Sequence, residues 1–131
     1  MTDAPVRVVI VDDQEPFRVA ARMVVELTDG FEVVGEAETG EASVDVVREL
    51  RPDLVLMDVN LPGINGLEAT RRILELATGA RVLVLSTYEA EEYEPRAVAA
   101  GAIAYMPKSA FGPDLLTDAW SNGAAGHGLD R

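Results

Sequence analysis

Five short apolar runs punctuate the chain: Val6–Val11, Phe31–Ala37, Leu54–Met57, Arg81–Leu85 and Ala102–Met106. Three of them hold unbroken apolar stretches, Val8 to Val11, Leu54 to Met57 and Val82 to Leu85. A strand without polar alternation is covered on both faces, as in a parallel sheet flanked by helices. The segments between them repeat at three-to-four spacing. In 15–28, Phe17, Ala20, Ala21, Val24 and Leu27 make one apolar stripe. Segment 40–50 has Thr39 as its N-cap, Glu41 in its first turn and Arg48 near its end. Pro52 biases Arg51 away from the right-handed helical region. Segment 66–77 opens on Asn65 with Glu68 three residues later, a variant of the capping box. Gly30, Gly79 and Gly101 each fall where a helix should end in a left-handed residue. Pro95 predicts a late start for the fourth helix, at about 93–95, behind an acidic loop, because an interior proline costs roughly 3 kcal/mol. The β-α alternation predicts an α/β doubly wound sheet, and the short β-branched runs defeat an all-helical reading.

Length and composition narrow the classes. The 131 residues suit one domain, residues 1–121, with a Gly/Ala-rich tail at 122–131 expected to fray. No apolar run reaches the roughly 20 residues of a membrane span, and the N-terminus lacks a signal peptide's pattern. With no cysteine and one histidine, His127, thiolate zinc sites and thiol nucleophiles are excluded, and the chain reads as cytoplasmic. The formal charge of -12 argues against direct contact with a nucleic-acid backbone. Of the eleven basic residues only Lys108 is a lysine.

Polar chemistry sits where the strands end. The first run is followed by Asp12-Asp13, the third by Asp58, the fourth by Ser86-Thr87 and the fifth by Pro107-Lys108. Right-handed crossovers bring these ends to one edge of the sheet, where such folds bind ligands. If the strand order is 2-1-3-4-5, the crevice lies between strands 1 and 3, and three aspartates converge there. They would repel one another without a cation among them. An oxygen-only donor set suits a hard ion, and Mg²⁺ is the expected one. Lys108 adds a compact point charge where an arginine would place a broad planar fork. A carboxylate so flanked can attack phosphorus and form an aspartyl phosphate.

Four stretches carry a resemblance: Val9 to Asp13, Arg51 to Gly66 around Asp58, Leu85-Ser86-Thr87, and Tyr105-Met106-Pro107-Lys108. In this order and spacing they resemble the receiver domain of two-component response regulators, over almost all of residues 6–121. The resemblance implies a flavodoxin-like five-stranded parallel sheet in the order 2-1-3-4-5 with five helices. It implies that Asp58 accepts a phosphoryl group from a sensor histidine kinase. It implies Mg²⁺ held by Asp13, Asp58 and the backbone carbonyl of Asn60, with Asp12 acting through water. Ser86 and Lys108 would contact phosphoryl oxygens, and Ser86 and Tyr105 would be the switch pair. Val33 to Ala37 and the Tyr-bearing segment after Ser86 are similar to the subgroup fused to a LuxR-type helix-turn-helix domain. A DNA-binding output domain would then lie outside this chain, with dimerisation on phosphorylation. The implied protein is a switch rather than a metabolic enzyme. A stand-alone receiver working mainly through protein–protein contact is the alternative.

Each residue also has a plainer role. Asp12-Asp13 could cap the following helix and Asp58 could shape a turn. Ser86 could be ordinary strand-end polarity, Tyr105 a core aromatic, and Trp120 packing on the last helix. Pro107 would shape its turn, with a cis bond as one way to do so. His127 reads as solvent-exposed. Among rival enzymes, a dehalogenase-type phosphatase needs an acid two residues after the nucleophile, and Asn60 cannot serve. A flavodoxin needs a hydroxyl- and glycine-rich phosphate loop, whereas Asp12-Asp13-Gln14-Glu15 would repel phosphate. A degenerate receiver would lack an acid or the lysine.

Overall fold

The computed structural model describes residues 4–87 and 90–126. Five strands alternate with helices: β1 (Val6–Val11), α1 (Glu15–Leu27), β2 (Phe31–Ala37), α2 (Gly40–Leu50), β3 (Leu54–Asp58), α3 (Gly66–Glu75), β4 (Arg81–Ser86), α4 (Ala90–Ala100), β5 (Ala104–Pro107) and α5 (Pro113–Gly126), with a 3₁₀ turn over Lys108–Ala110. All strands are parallel, in the order β2-β1-β3-β4-β5.

The continuous apolar strands split their side chains between two cores, as period-two geometry requires. Val9, Val11, Val55, Met57, Val82 and Val84 pack with Val47 of α2, Ile73 of α3 and Ala97 of α4. Val8, Ile10, Leu54, Leu56, Leu83 and Leu85 pack with Val25 of α1 and Leu116 of α5. The sheet is thus a middle layer, with α2, α3 and α4 on one side and α1 and α5 on the other.

Local signals act as the sequence predicts in most places. Thr39 accepts a hydrogen bond from the Ala42 N–H, and Asn65 accepts one from the Glu68 N–H. The Glu68 carboxylate does not close the capping box; it bonds Arg71 and Arg72 along the helix instead. Gly30, Gly79 and Gly101 all have positive φ, and Arg51 ends α2 at φ 50°, ψ 61°. Trp120 meets the Phe31 ring edge-on at 6.4 Å and carries the Arg81 guanidinium on its face at 4.6 Å.

Two expectations need correction. The fourth helix does not start late: α4 runs from Ala90 to Ala100 through Pro95. Pro95 is the sixth of the eleven residues of α4, inside the helix, and its absent N–H removes the one bond to the Glu91 carbonyl, while Ala97 and Ala100 still bury against the core. Residues 122–126, in the stretch expected to fray, continue α5 to Gly126. No cis peptide bond occurs among the described residues, Met106–Pro107 included. His127 lies outside the described residues.

Candidate functional site

Strand register builds the site. Val11 of β1 pairs with Met57 of β3, Met57 with Val84 of β4, and Val84 with Tyr105 of β5. One residue beyond that row stand Asp12 and Asp58, side by side at the C-terminal edge. Two beyond it stand Asp13 and Ser86, and Ser86 pairs with Pro107, the residue before Lys108. One register shared by four strands therefore gathers the carboxylates, the hydroxyl and the ammonium.

Carboxylate oxygens of Asp12, Asp13 and Asp58 lie within 4.8 Å of one another. Asp12 is fully buried, Asp58 is buried and Asp13 is exposed. Lys108 Nζ is 2.6 Å from Asp12 Oδ2 and 3.5 Å from Asp58 Oδ1. Asp13, Asp58, Asn60 and Lys108 face a cavity of about 420 Å³, together with Gln14, Pro16, Phe17 and Thr87. Asp12 stands behind the cavity wall. Ser86 and Tyr105 are buried and lie outside the lining.

Burial pushes the Asp58 carboxyl up to about 6, and the Asp12 charge adds to the rise. The Lys108 ammonium and the Asn60 N–H, which donates to Asp58, pull the other way without cancelling it. The pocket therefore penalises the charged form of the carboxylate it exposes.

The residues fit a hard divalent cation. All the donors are oxygen, and one ammonium faces three acids. Asp12 Oδ2 touches Lys108 yet accepts no well-aligned hydrogen bond. The capping role of Asp12 is also real in part: Asp12 Oδ1 accepts from the Gln14 N–H at 2.8 Å. One carboxylate thus serves a turn with one oxygen and the pocket with the other.

Sequence reasoning missed three contributors. Phe17 counted as one position of an apolar stripe, but its ring lies under Lys108 Nζ at 4.5 Å. Arg18 donates from Nη1 to the Asp12 carbonyl at 2.8 Å. Gly66 packs so tightly on the strand above it that an added Cβ would overlap the Asp58 carbonyl oxygen and lie 2.9 Å from Val59 Cα. Its N–H donates to the Val59 carbonyl at 2.8 Å, which pins the loop after Asp58. The neighbouring Asn65 cap was the one available hint of a fixed junction there.

Comparison with known proteins gives a consistent result. The profile of the response regulator receiver domain matches residues 8–120. The response regulator GacA of Pseudomonas viridiflava is 43% identical over 105 residues, which are 80% of this chain and 49% of that protein. The nitrate/nitrite response regulator protein NarL of Escherichia coli (strain K12) is 34% identical over 112 residues, 86% of this chain and 52% of that protein. The chain spans about half the length of these curated relatives. Among solved structures, a LuxR-family two-component response regulator from Aurantimonas sp. SI85-9A1 superposes with a TM-score of 0.84 at 33% identity, covering 92% of this chain and 86% of that one. The signal receiver domain of a NarL from Mycobacterium tuberculosis gives 0.85 at 25% identity, covering 94% and 99%.

Proposed function

This chain belongs to the response regulator receiver domain family, and we propose that it accepts a phosphoryl group on Asp58 and passes the event on as a change of shape. The observation that carries this reading is the placement of Asp58. It is the last residue of β3, it opens on the cavity, and Asp13 and Lys108 stand beside it.

The chain's own residues supply positioning and charge. An Asp58 carboxylate oxygen attacks phosphorus in a phosphohistidine or a small acyl phosphate. The new P–O bond forms as the bond to the leaving nitrogen or oxygen breaks, and the leaving group keeps the electron pair. Lys108 moves toward the incoming phosphoryl oxygens, and the Asp58 end of its reach is already open at 3.5 Å. Asp13, Asp58 and the Asn60 carbonyl would hold Mg²⁺, with Asp12 acting through water. When bound, the ion supplies the positive charge that three acids and one ammonium lack. Hydrolysis returns the carboxylate when water attacks the same phosphorus. Ser86, buried at the end of β4, and Tyr105, buried on the adjacent β5 opposite Val84, are the proposed movers.

A sensor histidine kinase is the proposed donor. A DNA-binding output domain is the proposed effector, because the matched stretch is only 48% to 60% of the length of these relatives, which include transcriptional regulators. Dimerisation on phosphorylation and a cytoplasmic setting follow from the same reading, and no described helix is long and apolar enough to cross a membrane. A receiver acting through protein contact alone is disfavoured, since every acid and the lysine are present and converge.

Acetyl phosphate with Mg²⁺ tests this directly. Intact-mass measurement should show one phosphoryl adduct on the wild type, lost on chelation of the metal and absent in Asp58→Asn. An equal adduct on the variant would defeat the assignment.

A further inference from the structure

Four polar contacts fix Asp12. Its N–H donates to the Ala37 carbonyl at 3.0 Å. Its Oδ1 accepts from the Gln14 N–H, and its Oδ2 meets Lys108. Its carbonyl, the oxygen of the peptide that joins it to Asp13, accepts from Arg18 Nη1 at 2.8 Å. The first three hold Asp12. The fourth holds the plane of the Asp12–Asp13 peptide, and that plane sets where the Asp13 side chain points. Asp13 itself is exposed and makes no hydrogen bond or ion pair among the described residues.

Arg18 is built for this task. It sits one turn into α1, and its side chain is only 13% exposed. Its Nε donates to Glu36 Oε1 on β2 at 3.0 Å while Nη1 reaches the Asp12 carbonyl. A planar guanidinium can serve both partners at once in a fixed geometry; an ammonium would serve one. Glu36 is anchored in turn, since it pairs in register with Ile10 and also meets Arg22.

The geometry points to Arg18 as a positioning residue for the acidic pair: its guanidinium fixes the Asp12–Asp13 peptide and so aims Asp13 into the cavity. Arg18 touches neither metal nor phosphoryl group; it acts through Asp13. Arg22 provides the comparison, because it shares Glu36 but has no bond to the Asp12 carbonyl.

Two readouts test this, and only the first rests on the metal reading of the site. In a Mg²⁺ titration followed by amide NMR, Arg18→Ala should weaken affinity about tenfold, the low end for groups that orient metal ligands. Arg18→Lys should recover part of the loss, and Arg22→Ala should bind as the wild type does. In metal-free protein, hydrogen exchange at the Gln14 amide should speed up in Arg18→Ala and stay unchanged in Arg22→Ala. A folded Arg18→Ala with wild-type affinity and wild-type Gln14 protection overturns the proposal. So does an Arg22→Ala that weakens Mg²⁺ binding equally, because the loss would then come from the Glu36 network. If Arg18→Ala does not fold, Arg18→Lys must show the same defects in smaller measure, or the proposal is wrong. If the wild type binds no Mg²⁺, the metal reading fails while the Gln14 exchange still decides the role of Arg18.

Discussion

Lys108 leans toward the acid that does not open on the cavity: its Nζ is 2.6 Å from Asp12 Oδ2 but 3.5 Å from Asp58 Oδ1. Asp12 is fully buried and finds in this ammonium its one charged partner among the described residues. The lysine thus supports the unphosphorylated fold through Asp12 and remains within reach of whatever arrives on Asp58.

Removing that ammonium should cost stability. Lys108→Ala leaves Asp12 a buried, uncompensated charge, a loss of about 3 kcal/mol in comparable sites. Mg²⁺ would restore part of it by supplying the missing positive charge. Thermal unfolding should therefore show a larger Mg²⁺-induced rise in Tm for Lys108→Ala than for the wild type. An equal rise in both would mean that Lys108 does not offset the acids.

Lys108→Arg separates charge from shape. The fork keeps the charge but cannot occupy the ammonium's place between Asp12 and the Phe17 ring. Mg²⁺ affinity should persist, while the phosphorylation-induced shifts of Ser86 and Tyr105 in NMR spectra should shrink. Full-sized shifts would show that a point charge is not required.

The raised Asp58 carboxyl makes a signed prediction about pH. Its folded value is about 6 against a reference of 3.8, so the folded state binds this proton more tightly than the unfolded chain does. The resulting stabilisation is complete below about pH 4 and is lost as pH rises through about 6. At neutral pH the ionised group is a burden that Asp58→Asn removes. Without metal, the variant should be more stable than the wild type by on the order of 2–3 kcal/mol at pH 7.5, and nearly equal to it at about pH 4. Urea unfolding in a chelator at both values measures this. A difference independent of pH would exclude Asp58 as its source.

Much of this site was legible in the chain because strands place their last residues in register. Three continuous apolar runs announced buried parallel strands, and the acids and the lysine follow such runs directly. Contacts that cross between elements were not legible. Nothing in the spacing of α1 distinguishes Phe17, under the Lys108 ammonium, from Val24, which packs only on the core. Arg18 looked like any polar helix position, and its reach to the Asp12 carbonyl depends on how α1 lies over the end of β2. Pro95 misled for a related reason. Local propensity set against it the cost of one hydrogen bond, while burial of Ala97 and Ala100 acts over the whole helix.

Gly66 should resist any side chain. An alanine Cβ there meets backbone on β3, at the Asp58 carbonyl and Val59 Cα, and backbone cannot step aside as a side chain can. Gly66→Ala should destabilise the fold by about 1–3 kcal/mol and shift Asp58 from its place. Gly112→Ala, with nothing within 4 Å of the added Cβ, is the matched control. Equal stability of the two variants in chemical unfolding would show that the β3–α3 junction has slack.

Pro95 leaves a weak point in α4 that its sequence neighbours do not mend. The helix continues past it to Ala100, so the proline costs a backbone bond inside an intact element rather than setting where the element starts. Pro95→Ala would restore the N–H and its bond to the Glu91 carbonyl and relieve the ring's clash with that carbonyl. The variant should gain up to about 3 kcal/mol, the cost of a proline in a helix interior. Amide exchange across 95–100 should slow with it. The consequence for signalling runs in the opposite direction. The proposed change of shape begins at Ser86, at the end of the strand that leads into α4, and a firmer α4 is harder to rearrange. Pro95→Ala should therefore accept the phosphoryl group on Asp58 as readily as the wild type does, yet show a smaller change in α4 amide shifts on phosphorylation. A variant that is no more stable than the wild type, or that responds in full, would show that the proline is a neutral passenger in this helix.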